Sequence, residues 1–465
     1  MSNLLIVIAG TFLSAWLLFL RGPSAGKTLN ASRWMLFAWS MLVLVHISSP
    51  IRYLSLKLSL STWMYCGLWI GTFIVADNVR FSIFPNKLST GPRERREMPS
   101  RAIGTICVMA VAGMIVLAYQ SRSVASGDEG LLAAFRDAQL AQLEGGEGDL
   151  LKTIATVLAC GGLVVALTDT SRAMLRGSRI PLRALIGFAS YLSVTVFTAG
   201  RPGIVLGALS VFTAIVSSGF LGGSGKRNLK RVVVTGIVLF AVGGAYIAAV
   251  VSTRTTGWTG GMENKIDLMN EMGNSELSSR FRESLRPAGV LGDTVIESFY
   301  YLSPQLYGLQ RSLNHYRGPM GWGAIEFAYI DRRIEAISNV RRFENVIDAD
   351  AQSFEDVEVS PHFFQTAVQT TNLDFGRVLG LCFVFLCGVL SRRSRTRALD
   401  THSPFAIGRQ ALICSGAAWS IIFSPFAEQS WSFPLLWFIT IPIVFERGQS
   451  FLAALSRPVS RTESS

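Results

Sequence analysis

The sequence predicts an all-α integral membrane protein with about eleven transmembrane helices and one large external loop of short helices. Apolar stretches of about 17–21 residues, each long enough to cross a bilayer, alternate with short arginine-rich connectors. One connector, from 252 to 374, is instead over a hundred residues long. The composition agrees, because 16% of the residues are charged and 50% are hydrophobic. Soluble proteins carry about 25% charged residues.

The predicted spans follow the apolar stretches along the chain. The stretch 231–251, RVVVTGIVLFAVGGAYIAAVV, is typical, since it is nearly uncharged and far too long for a buried strand. The first span has no basic region before it and no clear cleavage site, so we interpret it as a retained helix and not as a signal peptide. The full set of predicted spans is 3–20, 32–49, 61–78, 102–119, 151–168, 182–198, 203–221, 232–251, 377–391, 405–423 and 431–446.

The charge pattern predicts the orientation of these spans. Basic residues concentrate in alternate connectors, which the positive-inside rule places in the cytoplasm. The long loop is acidic, with 17 Asp and Glu against 11 Lys and Arg, and is expected outside. Arg52 and Lys57 do not fit this pattern, since their connector is also expected outside. We therefore predict a multi-pass protein of the bacterial inner membrane with a periplasmic N-terminus and a cytoplasmic C-terminus. The predicted divisions are 1–251 with transmembrane helices 1–8, 252–376 as the external loop, and 377–465 with helices 9–11 and a cytoplasmic tail.

Composition and spacing argue against several classes of function. The net charge of +12 is spread over the connectors, which does not favour nucleic-acid binding. The predicted spans lack ionisable residues near their centres, where ion-coupled carriers usually place them. The six cysteines fall inside spans without a CxxC pair, so we expect packing residues and no disulfide or zinc site. We also expect no metal and no cofactor, and we interpret the doublet Asp348/Asp350 as a solvated turn.

Three segments resemble one family. The passage FFQTAVQTTNLDFGRVLGLCFVFLCGVL, with Asp374-Phe375-Gly376 at the mouth of a span, resembles the DFG-then-helix ending of bacterial oligosaccharide repeat-unit polymerases. IESFYYLSPQLYGL at 296–309 is similar to an aromatic stretch in that family's external loop, and TAGRPG at 198–203 resembles its turn between two mid-chain spans. The segments occur in the same order and on the same topology. The chain thus resembles the O-antigen polymerase (Wzy-like) family, although that family's arginine-to-glycine loop spacings have no counterpart here.

The resemblance implies a GT-C-like glycosyltransferase architecture and the polymerisation of undecaprenyl-diphosphate-linked oligosaccharides into surface polysaccharide. A hydroxyl of an acceptor repeat unit would attack the anomeric carbon of the donor, and lipid diphosphate would leave. Arginine suits that leaving group, because its planar fork binds phosphate oxygens bidentately and can replace a metal. The expected partners are the lipid-linked oligosaccharide, membrane lipids, a chain-length regulator and a flippase, with no nucleic acid.

The candidate site residues follow from that chemistry. Arg201 is the first candidate for binding the diphosphate, because it is the only charged residue in a very short turn that is expected outside. The other diphosphate candidates are the loop arginines Arg280, Arg282 and Arg286. The candidates for the acid–base role are His362, Asp374 and Glu297. The candidates for sugar contact are Tyr300, Tyr301 and Tyr307.

Each of these residues also has a structural interpretation. Asp374 could cap a helix, Arg201 could anchor at lipid headgroups, and the three loop arginines could form a solvated helix face. The function has alternatives as well. A ligase of the same architecture would hand the glycan to another acceptor. A polysaccharide flippase or transporter would need charged cavities along the spans, and a non-catalytic scaffold would leave the external arginines unexplained.

Overall fold

The computed structural model describes residues 2–54, 57–79, 98–122, 150–197, 202–222, 261–328, 330–331, 342–352 and 366–455. Within them the chain is mostly helical. Five helices are long and apolar enough to cross a membrane: Asn3–Leu20, Ser100–Ser121, Leu150–Leu175, Pro202–Leu221 and Ala367–Thr401. Three shorter apolar helices accompany them: Ala31–Ile47, Leu182–Phe197 and Gln429–Val444. The helical membrane fold is therefore confirmed in this coarse form, while the count of eleven spans stays a prediction. The predicted span 232–251 lies outside the described residues.

The helices and strands are numbered in chain order. In the first half of the chain they are α1 (Ser2–Ala15, followed by a π-turn at Trp16–Leu20), α2 (Ala25–Thr28), α3 (Ala31–Ile47), β1 (Ile51–Tyr53), α4 (Leu60–Asn78), α5 (Ser100–Arg122), α6 (Leu150–Leu175), α7 (Leu182–Phe197) and α8 (Pro202–Leu221). In the long loop they are α9 (Gly261–Gly273), β2 (Ser275–Leu277), α10 (Ser279–Leu285), α11 (Val290–Leu302), α12 (Gln305–His315) and α13 (Arg342–Gln352). The chain then continues through α14 (Ala367–Thr401), α15 (Pro404–Trp419) and α16 (Gln429–Leu455).

Close packing joins the apolar helices. Helix α6 is the central one, since an unbroken run of its residues from Ala159 to Ser171 is buried. Small residues allow its backbone to approach its neighbours, as is usual between membrane helices. At the contact of α6 with α7, a Cβ atom on Gly162 would collide with the carbonyl oxygen of Gly187. A second contact of this kind joins α14 to α4, where Gly388 faces the backbone of Phe73.

Two buried aspartates tie the helices together at one end of the bundle. Asp77, at the end of α4, accepts hydrogen bonds from the Ser32 hydroxyl at 2.6 Å and the Ser391 hydroxyl at 3.1 Å, and it pairs with Arg395 at 3.2 Å. Asp169 on α6 accepts two hydrogen bonds from the guanidinium group of Arg183 on α7. These hydrogen bonds and ion pairs replace the hydration that the two carboxylates lose on burial.

The same contacts bring the described basic connectors to one end. Arg183 of α7 donates to the backbone oxygen of Ser100 at 3.1 Å, which joins the connectors that precede α5 and α7. Arg392 donates to the carbonyl of Val79, which joins the end of α4 to the basic end of α14. The grouping that the sequence pattern predicts is therefore present in the packing. The side of the membrane on which this end lies stays a prediction.

The long loop packs on the opposite end of the bundle. Its strand β2 pairs antiparallel with β1, with Ile51 opposite Leu277, so this all-α fold includes one small two-stranded ribbon. Gln310 of α12 donates to the Lys57 carbonyl at 2.7 Å. The connector with Arg52 and Lys57, which does not fit the charge pattern, therefore lies with the loop. Pro304 is the N-cap of α12 and separates it from α11, since a proline has no backbone N–H to bond to the preceding turn.

Candidate functional site

The junction between the long loop and α14 carries the candidate site. The predicted span from 377 begins earlier in the structure, at Ala367, with Thr366 as its N-cap. The capping residue is thus Thr366 and not Asp374. At Gly376 the backbone leaves helical geometry, with φ +67° and ψ −176°. Only glycine adopts this conformation readily. The DFG sequence is therefore a break between two helical segments, and the segment before it, 367–374, is buried throughout.

Residues 319–328 and 330–331, named here the docking turn, are attached to this break by backbone hydrogen bonds. The N–H of Gly321 donates to the Leu373 carbonyl at 3.2 Å, and the N–H of Trp322 donates to the Asp374 carbonyl at 2.9 Å. A Cβ atom on Gly321 would collide with the Asp374 carboxylate, so a glycine is needed there. These bonds fix the loop on the last residues before Gly376.

The side chain of Asp374 completes the attachment. It is fully buried. Its Oδ1 accepts from the N–H of Ile325 at 3.0 Å, and its Oδ2 accepts from the N–H of Glu326 at 2.7 Å. These backbone N–H groups replace part of the hydration that the carboxylate loses on burial. Asp374 therefore works as a clamp that fixes the docking turn.

Glu326 is a second buried carboxylate at the same place. It accepts hydrogen bonds from the hydroxyls of Thr370 and Thr371, each at 3.0 Å, and from the hydroxyl of Ser424. Burial raises the pKa of Glu326 to about 7; the Ser424 hydrogen bond opposes this shift and the nearby Asp374 adds to it. Such a group exchanges its proton near neutral pH, as acid–base catalysis requires.

The sequence reasoning missed Glu326. One signal was available, because Glu326 is the sole charged residue in the segment GPMGWGAIEFAYI at 318–330. A single carboxylate in an otherwise apolar, glycine-rich segment is a candidate for a buried role. Its partners, however, come from two distant segments of the chain, around 370 and 424, and only the fold brings them together.

Further polar groups surround the two carboxylates. Asp350 is buried, and the Gln369 side chain donates to it at 3.4 Å. The interpretation of Asp348/Asp350 as a solvated turn is wrong, because both lie in helix α13 and only Asp348 is exposed. Asp331 forms an ion pair with Arg342. Within the described residues, no group of three or more His, Cys, Asp or Glu is arranged to hold a metal ion.

Arg377 brings a cation to the junction. It follows Gly376 directly, is exposed, and donates to the Leu313 carbonyl at the end of α12. Next to it, Val378 and Leu379 begin the exposed apolar surface of α14. The junction therefore contains two buried carboxylates, the guanidinium of Arg377 and the start of the apolar surface of α14.

The other predicted site residues lie elsewhere or outside the described residues. Arg201 and His362 belong to the latter. Glu297 is buried in α11. Arg282 pairs with Glu263 at 3.0 Å. Arg280 and Arg286 are exposed on the same loop segment.

Of the three predicted sugar-contact tyrosines, Tyr300 is buried, whereas Tyr301 and Tyr307 are half-buried. Tyr300 is 1% exposed, and its hydroxyl donates to Asn270 at 2.6 Å. Tyr307 packs against Tyr53, with ring centroids 4.7 Å apart. The carbonyl of Tyr301 accepts a hydrogen bond from Gln305 at 2.7 Å. Sugar contact by the buried ring of Tyr300 would thus require a rearrangement of the loop. None of the described hydrogen bonds or ion pairs joins these tyrosines to Asp374 or Glu326.

Comparison with known proteins adds no family. The chain matches no protein-family model, no curated protein and no solved structure.

Proposed function

We propose that this protein polymerises polyprenyl-diphosphate-linked oligosaccharide repeat units on the outer face of a bacterial inner membrane. The observation that carries the proposal is the convergence at the Gly376 break. A lipid-linked donor has an apolar chain, a diphosphate and a sugar in series. The junction offers an apolar surface at Val378, a guanidinium at Arg377 and carboxylates at Asp374 and Glu326, also in series. The resemblance of the DFG segment to repeat-unit polymerases points to the same reaction.

In this proposal each group has a defined task. Arg377, together with Arg201, binds the diphosphate, because a guanidinium neutralises the leaving group as charge develops on it. Glu326 receives the proton of the acceptor hydroxyl, since its pKa of about 7 matches that task at neutral pH. The C–O bond to the lipid diphosphate breaks as the new glycosidic bond forms. Glu326 is itself a residue of the docking turn and its side chain is buried, so the acceptor reaches its carboxylate only after this turn moves.

A reconstituted assay tests the proposal. Purified protein in lipid nanodiscs receives a defined polyprenyl-diphosphate oligosaccharide, in the presence of excess chelator, and chain length is read by gel electrophoresis. We expect long chains from the wild-type protein and almost none from Glu326→Gln. The matched control is Asp348→Asn, a neutralised carboxylate that is exposed in the same loop. Wild-type activity in Glu326→Gln would remove Glu326 from the mechanism, and activity that depends on added Mg²⁺ would contradict metal independence.

The glycan profile of a strain that lacks the protein separates polymerase from ligase. Single repeat units on the lipid carrier indicate a polymerase, because chain growth has stopped. Long chains that are not attached to their final acceptor indicate a ligase. A flippase would leave the repeat units on the cytoplasmic side.

A further inference from the structure

The outer surface of the docking turn is apolar. Four large side chains there are exposed to solvent in the isolated protein: Trp322 by 62%, Ile330 by 60%, Met320 by 46% and Phe327 by 37%. We name these four residues the apolar crest. Among the described aromatic residues of the loop, Phe281, Phe299 and Tyr300 are instead buried, with 5%, 5% and 1% exposure. The crest is therefore not an average part of the loop surface.

The backbone holds Trp322 in this exposed position. Trp322 has φ +51°, in the left-handed region that costs a residue with a Cβ about 1 kcal/mol or more. Its N–H donates to the Asp374 carbonyl at 2.9 Å, and the Asp374 carboxylate fixes the next turn of chain through Ile325 and Glu326. The hydrogen bonds of the buried Asp374 and the strained backbone of Trp322 thus hold this tryptophan outside the protein core.

One end of the crest lies against the break in α14. The Cε of Met320 lies 3.1 Å from the place of a Cβ atom on Gly376. Two residues later the exposed apolar face of α14 begins, with Val378 at 73% and Leu379 at 44% exposure. The crest therefore continues the lipid-facing surface of a spanning helix beyond its break. Tryptophan is enriched at this depth, where its ring meets acyl chains and its N–H meets headgroups.

We propose that the apolar crest is inserted into the bilayer, at the boundary between lipid headgroups and acyl chains on the loop side. The partner is the phospholipid bilayer itself, and the insertion needs no substrate. Insertion removes four exposed apolar side chains from water. It also places Asp374 and Glu326 at headgroup depth. The proposal does not depend on the proposed glycosyl transfer.

Spin-label accessibility tests this inference without an activity readout. Single cysteines replace Trp322 or Ile330 in the full-length protein, after the six native cysteines are changed to alanine or serine. The labelled protein is placed in nanodiscs of phosphatidylethanolamine and phosphatidylglycerol without substrate. Power saturation then compares collisions with oxygen, which concentrates in lipid, and with a polar nickel chelate, which stays in water.

Two reference positions calibrate the measurement. Leu386→Cys lies on the exposed apolar face of α14, and Asp348→Cys lies on the exposed face of α13. We expect the labels at 322 and 330 to favour oxygen, as at 386, and the label at 348 to favour the nickel chelate. Labels at 322 and 330 that behave like the one at 348 would overturn the proposal. Low accessibility to both reagents would also overturn it, because the crest would then be covered by protein. Ile330 keeps the test valid if the strained position 322 does not tolerate cysteine.

Discussion

Asp374, just before the break in a membrane helix, holds the backbone N–H of Glu326 at 2.7 Å, although 48 positions of sequence separate the two residues. This contact joins the long loop to the helix bundle and places two buried carboxylates side by side. Their chemistry differs, because the described bonds to Asp374 come from backbone N–H groups and those to Glu326 come from hydroxyls.

The pH dependence of stability should report on Glu326. Burial raises the pKa of this carboxyl from 4.5 to about 7, so between these values the folded protein keeps a proton that the unfolded chain releases. The free energy of unfolding therefore falls as pH rises from about 4.5 to about 7 and stays lower above it. We expect a higher melting temperature at pH 6 than at pH 8, and Glu326→Gln should reduce this difference. A difference that Glu326→Gln leaves as large as in the Asp348→Asn control would contradict the prediction.

Gly376→Ala should destabilise the junction. The conformation at 376, with φ +67° and ψ −176°, is essentially restricted to glycine, and a substitution costs of order 1–3 kcal/mol. The added methyl also meets the end of Met320. Thermal denaturation in detergent measures the loss. Gly71→Ala is the control, since no atom lies within 4 Å of its Cβ position inside α4. There alanine should be neutral or stabilising by about 0.5–1 kcal/mol. Equal melting temperatures for the two variants would show that the break carries no strain.

Asp77→Asn should destabilise the opposite end of the bundle. The substitution leaves the positive charge of Arg395, 12% exposed, without its carboxylate. Removing one partner of a buried ion pair typically costs about 3–5 kcal/mol. We expect a clear loss of melting temperature, whereas Asp400→Asn, at an exposed position of the same helix α14, should be close to wild type. A wild-type melting temperature for Asp77→Asn would show that water replaces the carboxylate.

The two ends of the bundle should lie on opposite sides of the membrane. Single cysteines at Ser178, in the basic connector before α7, and at Asp348, in the long loop, are both at exposed positions. In a cysteine-free background, an impermeant maleimide added to intact cells with a permeable outer membrane should label 348 and not 178. Labelling of 178 alone would invert the predicted topology, and equal labelling of both would refute it.

Arg201 should need its planar fork and not only its charge. Loss of a charge-assisted bidentate contact costs about 2–4 kcal/mol, or roughly thirty- to a thousand-fold in rate. Arg201→Lys should therefore be impaired nearly as much as Arg201→Ala. Arg52→Lys, at an exposed position on the loop side, is the control. If Arg201→Lys polymerises at the wild-type rate, Arg377 or the segment Arg280–Arg286 becomes the better diphosphate ligand.

Hydropathy along the chain is enough to predict a helical membrane fold. In lipid, a long uncharged stretch can form all of its backbone hydrogen bonds within one segment by folding as a helix. The spans drawn at 61–78 and 203–221 match α4 and α8 within a residue. The start of α14 was misplaced by ten residues, because the segment before Gly376 is polar, with TTNLD, and hydropathy does not detect it.

The meeting of particular polar residues, in contrast, depends on how the helices and the loop pack. The DFG motif singles out Asp374. It does not show that the Asp374 carboxylate accepts hydrogen bonds from the N–H groups of Ile325 and Glu326. The sequence also predicts a sugar contact at Tyr300, whereas the fold buries its ring. Periodicity reports which face of a segment is apolar, and it carries no information on the partner that covers that face. A buried carboxylate must find its donors wherever the chain supplies them, and at this junction they come from residues about fifty to a hundred positions away.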